Sequence, residues 1–230
     1  FPEVLFEGCA SGGGRFDLGA LWFFPQIWPS DNTDARDRIA IQDGTSYGYP
    51  QSAIIAHIAA SPNHQTGNRN ALETRFNVAS GGIFGFQLDM MQFDESERET
   101  AAREIGFYKQ YREHLQFCTY YRVGDVFSSD IGGYITVSPD RAFAIAAVHV
   151  LKYRVRSAIP VIRLKGLAPE KRYRVQSREQ ANYMRTIVLE AGGDLLMRAG
   201  FRLNDIFEDT QRGSNSGGVY SRMLILEELV

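Results

Sequence analysis

Cysteine and net charge are both scarce in this sequence. Its 230 residues contain two cysteines, Cys9 and Cys118, too few for the disulfide framework of a small secreted domain, so we expect a reduced, cytoplasmic setting. The formal net charge is −2, which gives no electrostatic reason to expect binding to nucleic acid or to an anionic membrane. No run of about 18 or more apolar residues occurs, so we expect no membrane-spanning helix.

Signatures of bound cofactors and metals are also missing. The triplet Gly12-Gly13-Gly14 matches neither the G-x-G-x-x-G dinucleotide fingerprint nor a phosphate loop with a following Gly-Lys-Ser/Thr. Among the four histidines, no two stand at metal-ligand spacing with a third donor nearby. We therefore predict no metal and no cofactor. A different α/β enzyme that uses the Gly-rich loop to bind phosphate stays open on these grounds.

The pattern of the sequence changes near residue 117. Before it, short apolar runs are each followed by a polar turn and a helical or irregular stretch, which is typical of a parallel sheet covered on both faces. We predict strands at Val4–Glu7, Gln26–Ser30, Ile54–Ala59 and Ile83–Leu88, and helices at Asp34–Gln42, Asn70–Val78 and Ser96 to Gln116. Residues 1–117 are therefore predicted to be α/β. Their four βα units make the C-terminal half of a (β/α)8 TIM barrel.

An open half-barrel has two unpaired sheet edges and an exposed apolar wall, which another polypeptide must cover. The first predicted strand follows Phe1-Pro2-Glu3, with no initiator methionine and no signal peptide. We therefore expect this chain to be part of something longer, whose N-terminal half completes the barrel.

Residues 118–230 are predicted to be all-β. Short strand-like runs alternate with turn signals such as Ser138-Pro139-Asp140 and Gly192-Gly193-Asp194, a rhythm that predicts an antiparallel β-sandwich domain. The predicted strands are Tyr134–Val137, Phe143–Val150, Val161–Leu164, Tyr173–Gln176, Thr186–Leu189 and Val219–Leu226.

Polar loops at the ends of the first two predicted strands are candidates for an active site. The first carries the glycine triplet, which lets the backbone approach a ligand closely. The second carries Asp31 after Trp28-Pro29-Ser30, so a carboxylate lies at the C-terminal tip of a strand. In parallel α/β folds, side chains from several strands converge at that tip. Asp31 could instead cap the helix that follows, and Asp34 is its rival for a catalytic role.

Taken together, the two loops resemble those of the α-galactosidases of glycoside hydrolase family 36. The resemblance lies in the run Phe6-Glu7-Gly8-Cys9-Ala10-Ser11-Gly12-Gly13-Gly14-Arg15-Phe16-Asp17 and in Pro25-Gln26-Ile27-Trp28 followed by Ser30-Asp31-Asn32-Thr33-Asp34. It continues through Pro62-Asn63-His64-Gln65-Thr66-Gly67, Leu72-Glu73-Thr74-Arg75, Gly85-Phe86-Gln87-Leu88-Asp89 and Arg163-Leu164-Lys165-Gly166-Leu167. The likeness covers most of the chain, and its most specific motifs lie in the first ninety or so residues.

The resemblance implies a retaining glycosidase that acts on α-galactosides such as melibiose and raffinose. By motif, Asp31 is the general acid/base, and Cys9 and Gly12 contact galactose. The family's nucleophile is the Asp of a Lys-Trp-Asp motif, which this sequence lacks. The resemblance therefore implies a fragment that is inactive without the N-terminal half, from a family that is commonly tetrameric. It also agrees with a β-sandwich after the barrel.

The sequence also permits non-catalytic and purely structural interpretations of these residues. The chain could be a non-catalytic or vestigial galactoside-binding protein, and Cys9 a small buried hydrophobe. Arg15 and Asp17 are expected to brace their loop by a charge pair, and Trp28 to lie in the core. His57, inside an apolar strand, is expected to be a hydrogen-bonded core histidine, whereas His64 on a strand-end loop could line the pocket.

Overall fold

The computed structural model describes residues 1–9, 13–152, 161–178, 188–202 and 219–229. The chain forms two compact units, Phe1–Phe117 and Cys118–Val230. No helix in these ranges is long and apolar enough to cross a membrane.

The first unit alternates short strands with helices. Two short 3-10 helices, Gln51–Ala53 and Met90–Gln92, lie within this series of elements. The elements in order are β1 (Glu7–Cys9), α1 (Leu18–Leu21), β2 (Gln26–Trp28), α2 (Ala35–Thr45), β3 (Ile55–Ala59), α3 (Leu72–Ala79), β4 (Ile83–Gln87) and α4 (Glu95–Phe117).

The four strands run parallel and follow one another in sequence order. β1 pairs with β2, β3 pairs with β4, and an isolated parallel bridge between Ile27 and Ile54 links the two pairs. Within the described residues, β1 has no partner on its outer edge and neither has β4. The unit therefore ends in two open edges, which can pair with further strands.

Helices α3 and α4 cover one face of the β3–β4 pair. The Phe84 ring packs against Phe76 of α3 and Tyr108 of α4, with ring centroids 5.2 and 5.0 Å apart. The Tyr108 hydroxyl donates to the Gly82 carbonyl at 3.0 Å, which fixes α4 at the start of β4. Since side chains alternate along a strand, Gly85 faces away from these helices.

The first strand lies three residues later than its predicted position. Glu7, Gly8 and Cys9 pair with Gln26, Ile27 and Trp28, whereas the preceding apolar residues Val4–Phe6 are exposed. The apolar run predicted a strand, but its register is decided by pairing with β2. As a result, Cys9 belongs to the strand itself and only the residues after it form the Gly-rich loop.

The second unit is rich in antiparallel strands. Its strands are β5 (Thr119–Gly124), β6 (Ile131–Val137), β7 (Phe143–Val150), β8 (Val161–Ile162), β9 (Arg172–Ser177), β10 (Val188–Gly192), β11 (Phe201–Arg202) and β12 (Tyr220–Glu228), with helix α5 (Gly193–Arg198) between β10 and β11. Six of them form one sheet in the order β10-β9-β12-β7-β6-β5, and β8 pairs with β11.

One hydrophobic core joins these elements. Ile162 of β8, Phe201 of β11 and Leu196 of α5 belong to the same buried cluster as Ile135 and Leu224 of the large sheet. The β8–β11 ribbon and α5 therefore cover one face of that sheet.

The elements predicted for this unit differ from the structure. Strands β5 and β11 and helix α5 were not predicted, β6 begins three residues before the predicted Tyr134, and the strand predicted at Val161–Leu164 has only two residues. The predicted strand Thr186–Leu189 lies partly outside the described residues, and its described part continues to Gly192.

A buried histidine in β7 makes the second unit sensitive to acid. His149 Nδ1 lies 2.8 Å from the Ser221 hydroxyl oxygen, and burial lowers the pKa of His149 from 6.5 to about 3. Between pH 6.5 and about pH 3, His149 is therefore mostly protonated in the unfolded chain and neutral in the folded chain. Stability should be constant above the unfolded pKa and fall as the pH drops below it, by about 1.4 kcal/mol per pH unit.

His149→Asn should remove this slope, because asparagine does not titrate. Urea unfolding followed by circular dichroism at about pH 7 and pH 5 measures it. We expect the parent chain to lose about 2 kcal/mol more than the variant over that interval. Identical pH dependence in the two proteins would contradict the role of His149.

Candidate active site

The loops that follow β1 and β2 meet at Gly13. This residue has φ of 88°, and a Cβ built on it would lie 2.4 Å from the Pro29 carbonyl oxygen. Only glycine fits here, because the conformation is left-handed and the neighbouring atom is backbone. The loop that carries the glycine triplet is thus brought against the peptide just before Ser30 and Asp31. Gly12, the predicted galactose contact, lies outside the described residues.

Hydrogen bonds between side chains and the backbone brace the first loop. Arg15 donates from Nη2 to the Cys9 carbonyl at 3.2 Å. Asp17 caps α1 by accepting from the Ala20 amide at 2.7 Å. The Tyr49 hydroxyl donates to the Phe16 carbonyl at 3.0 Å. Arg15 and Asp17 therefore brace the loop as expected, but through the backbone and a helix cap instead of a charge pair.

A cavity of about 280 Å³ lies beside Cys9. It is lined by Glu7, Gly8, Cys9, Arg15, Asp17, Ala20, Phe24 and Ile27. Cys9 is exposed, which contradicts the interpretation of this residue as a small buried hydrophobe. Asp31 does not line this cavity. The two loops instead meet where Gly13 approaches the Pro29 carbonyl.

Asp31 lies three residues beyond the end of β2 and is exposed. Its carbonyl oxygen accepts a hydrogen bond from Gln65 Nε2 at 2.9 Å. Its carboxylate makes no hydrogen bond or ion pair with any residue in the described part of the chain. The side chain is thus free to engage a ligand, while its backbone is held.

Asp34 has the opposite environment. It is fully buried, and its Oδ1 accepts from the Arg36 amide at 2.8 Å as the N-cap of α2. Its Oδ2 accepts from the Thr66 hydroxyl and, at 2.8 Å, from Asn68 Nδ2. All of these bonds are structural. Asp34, the rival of Asp31, therefore holds a helix and a loop in place.

Trp28, the last residue of β2, is buried between a cation and an imidazole. The Arg38 guanidinium carbon lies 4.3 Å from the ring centroid of Trp28, and the His57 ring lies 4.9 Å from it. Arg38 donates to the carbonyls of Ser30 at 3.3 Å and Ile55 at 2.6 Å. Burial lowers the pKa of Arg38 to about 10, so it stays charged near neutral pH. Arg38 thus ties α2 to the loop that carries Asp31.

The imidazole of His57 lies on the strand face away from the helices. Its position in β3 is opposite Gly85 of β4, and burial lowers its pKa below the ordinary value, with Glu7 opposing and Arg38 adding to that shift. His57 makes no hydrogen bond within the described residues and is half-buried, so the expectation of a hydrogen-bonded core histidine is wrong. Its ring packs against Trp28 at an interplanar angle of 31°. His64, on the loop after β3, is exposed.

Replacing Gly85 by alanine should displace His57. A Cβ at residue 85 would lie 2.6 Å from His57 Cδ2, so the ring must move and its stacking on Trp28 must change. We expect a loss of about 1–3 kcal/mol in stability and a change in the fluorescence of Trp28, the buried member of the two tryptophans. Urea unfolding followed by tryptophan fluorescence measures both effects.

Gly106→Ala is the matched control for this substitution. A Cβ at Gly106 in α4 meets no atom within 4 Å, so alanine should stabilise the helix by about 0.5–1 kcal/mol. If Gly85→Ala were as stable as Gly106→Ala, the close approach of His57 to β4 would be wrong.

Two side chains that hold the Asp31 loop were not predicted: Gln65 bonds the Asp31 carbonyl and Arg38 bonds the Ser30 carbonyl. Gln65 was part of a recognised motif without a role, and Arg38 was one charged residue of a predicted helix. A signal for the first was present, because Asn63 two residues before Gln65 is typical of an Asx turn. In the described ranges, no three His, Cys, Asp or Glu side chains are grouped so as to hold a metal ion.

Two protein-family models match this chain, in agreement with the family resemblance of its two loops. Residues 1–118 match the melibiase family model, and residues 133–226 match the model of the glycosyl hydrolase family 36 C-terminal domain. The chain belongs to glycoside hydrolase family 36. The resemblance found in the two loops is thereby confirmed.

Curated members of family 36 match most of this chain. The α-galactosidase AgaA of Geobacillus stearothermophilus is 41% identical over 203 residues, which are 88% of this chain and 26% of AgaA. The α-galactosidase Mel36A of Lactobacillus acidophilus is 36% identical over 220 residues, which are 96% of this chain and 28% of Mel36A. The chain thus spans about a quarter of the length of these relatives.

Solved α-galactosidase structures match the whole of this chain over part of their own length. The α-galactosidase of Lactobacillus brevis matches all of this chain with a TM-score of 0.87 and 38% identity, over 30% of its own length. A variant of AgaA from Geobacillus stearothermophilus in complex with raffinose matches all of it with a TM-score of 0.85 and 37% identity, over 29% of its length. Mixed helices and parallel strands followed by a β-rich unit are therefore features that this chain shares with the family.

Proposed function

We propose that this chain is the C-terminal part of a retaining α-galactosidase and that Asp31 is its general acid/base. The observation that carries the proposal is the contrast between the two aspartates after β2. Asp31 is exposed with an unengaged carboxylate, whereas the carboxylate of Asp34 is buried in structural hydrogen bonds. The family membership adds the substrate class, since AgaA has been solved with raffinose bound.

The chemistry needs a second carboxylate. In a retaining glycosidase, one carboxyl group protonates the leaving oxygen while the other attacks the anomeric carbon, and the two lie about 5–5.5 Å apart. An anionic neighbour favours the protonated form of Asp31 before the first step. Once the nucleophile is glycosylated its charge is lost, and Asp31 can then take a proton from the incoming water.

The second carboxylate comes from outside this chain in our proposal. The sequence contains no Lys-Trp-Asp, and the outer edges of β1 and β4 have no partner among the described residues. We propose that the first unit is half of a TIM barrel, that an N-terminal half pairs with both edges and supplies the nucleophile, and that the β-rich unit is the family's β-sandwich.

Cys9 and Gly12 complete the proposed substrate contacts. Cys9 ends β1 beside the cavity and is exposed, so its thiol can touch a sugar. A thiol is a weak hydrogen-bonding group, and it would act mainly through its shape. Gly12 is proposed from the motif alone.

Reconstitution tests the function. Mixing this chain with an N-terminal half of a family 36 enzyme that carries the Lys-Trp-Asp motif should release galactose from raffinose and melibiose, while each half alone should release none. The same mixture made with an N-terminal half whose motif Asp is replaced by Asn is the control. Absence of galactose release from a folded assembly would refute the proposal.

The missing nucleophile motif favours one second candidate, a vestigial galactoside-binding protein. Calorimetry that detects galactose binding to the assembly without turnover would support it over the enzyme. Protection by inorganic phosphate but not by galactose would instead point to a phosphate-binding α/β enzyme.

A further inference from the structure

One side chain joins the loop after β3 to the backbone on both sides of Asn32. Gln65 donates from Nε2 to the Asp31 carbonyl at 2.9 Å. Its Oε1 accepts from the Thr33 amide at 2.9 Å and from the Thr33 hydroxyl at 3.3 Å. Gln65 therefore bridges the residue proposed as acid/base and the residue two positions later. We name this arrangement the Gln65 clamp.

The loop that presents Gln65 is itself closed by hydrogen bonds. Asn63 is buried, and its Oδ1 accepts from the amides of Gln65 at 2.9 Å and Thr66 at 3.2 Å. The Gly67 amide donates to the Asn63 carbonyl at 2.8 Å. Asn63 Nδ2 also donates to the Thr33 hydroxyl at 3.0 Å. Asn63 thus holds the Gln65 backbone and is also bonded to Thr33, the residue that the Gln65 side chain contacts.

A primary amide suits this position because it offers a donor and an acceptor side by side. A carboxylate offers only acceptors, and a hydrocarbon offers neither. Since the Asp31 carboxylate makes no bond of its own within the described residues, the backbone determines where it stands. In catalysis a misplacement of about 1 Å can cost about 100-fold in rate, so the backbone of an acid/base residue has to be held.

We propose that Gln65 is a positioning residue that holds the Asp31 backbone so that its carboxyl group meets the glycosidic oxygen. This inference rests on the proposed function of Asp31. It assigns to Gln65 of the Pro62-Asn63-His64-Gln65-Thr66-Gly67 motif a role distinct from the pocket-lining position considered for His64. Gln65 touches neither substrate nor proton in this proposal, and it acts only through the peptide groups beside Asn32.

Two substitutions at residue 65 separate the parts of the clamp. Gln65→Ala removes all three side-chain hydrogen bonds. Gln65→Glu keeps the acceptor for the Thr33 amide, loses the donor to the Asp31 carbonyl and adds a negative charge beside Asp31. Gln110→Ala is the matched control, because Gln110 is an exposed residue of α4.

In the reconstituted enzyme, Gln65→Ala should lower kcat/KM on raffinose by about 10–100-fold, because kcat/KM reports the first step, in which protonation of a poor leaving group depends on the placement of Asp31. An aryl galactoside with a good leaving group needs little protonation in that step, and its kcat/KM should fall by less than about fivefold. Gln65→Glu should also move the alkaline limb of the pH–rate profile to higher pH, since the added charge opposes ionisation of Asp31.

Hydrogen exchange in this chain alone provides a second readout. The Thr33 amide should be protected in the parent and in Gln110→Ala and should exchange faster in Gln65→Ala, as followed by NMR. If the parent enzyme releases no galactose, the proposed function and this inference both fall. If the parent is active but Gln65→Ala keeps its kcat/KM on raffinose, or loses kcat/KM equally on both substrates, the positioning role alone is overturned.

Discussion

Asp31→Asn in the reconstituted enzyme should abolish most hydrolysis of raffinose and leave the fold intact. Loss of general acid–base catalysis should lower kcat/KM on raffinose by about 10²–10⁴-fold, and the loss in kcat/KM should be smaller for activated aryl galactosides, whose leaving groups need no proton in the first step. Because the Asp31 side chain is exposed and makes no hydrogen bond within the described residues, the free energy of unfolding should change by less than about 0.5 kcal/mol.

Steady-state kinetics on both substrate types, with urea unfolding of the same preparations, measures this outcome. The alkaline limb of the pH–rate profile should disappear as well, because it reports the ionisation of the acid. Asp89→Asn is the control, since Asp89 is an exposed aspartate on the loop after β4 that caps a short 3-10 helix and asparagine caps equally well. Equal activity of Asp31→Asn and parent on raffinose would end the acid/base assignment.

Asp34→Ala should have the reverse effect, with a large loss of stability. The substitution removes the N-cap of α2, worth about 1 kcal/mol. It also removes the hydrogen bonds from the Thr66 hydroxyl and from Asn68 Nδ2, worth about 0.5–1.5 kcal/mol each because water can reach the exposed Thr66 and the half-buried Asn68. We expect a total loss of about 3 kcal/mol. Urea unfolding followed by tryptophan fluorescence measures it, because Trp22 and Trp28 both lie in the first unit.

Asp34→Asn is the informative companion to this variant. Asparagine is as good a cap as aspartate and still accepts from the loop, so it should keep more than half of the stability that alanine loses. A chain with Asp34→Ala that unfolds like the parent, in an enzyme that no longer cleaves raffinose, would instead make Asp34 the acid/base residue.

The difference between these two aspartates shows where sequence reasoning ends. Motif register placed Asp31 ahead of Asp34, but the partners that bury Asp34 are Thr66 and Asn68, more than thirty residues away in the chain. Contacts of that range depend on how β2 and β3 lie side by side. The same holds for Gln65, whose motif was recognisable although its contact with Asp31 was not.

The types of the helices and strands could be predicted from the sequence better than the residues at which they begin and end. The parallel strands and α4 follow from hydrophobic patterning, whereas the start of β1 depends on pairing with Gln26–Trp28. Strand β5 begins directly after α4 and is largely half-exposed at the edge of its sheet. It therefore lacks the buried apolar run by which the other strands were recognised.

The anchoring of the Asp31 loop has a consequence for engineering new sugar specificity. This loop is tied by Gln65 from the β3 side and by Arg38 from α2, whereas it meets the Gly-rich loop through the close approach of Gly13 to Pro29. Libraries that randomise the Gly-rich loop but retain Gly13 would therefore vary the proposed sugar contacts while the proposed proton donor keeps its supports. If the proposed function is right, sugar recognition and proton transfer in this chain are separately evolvable.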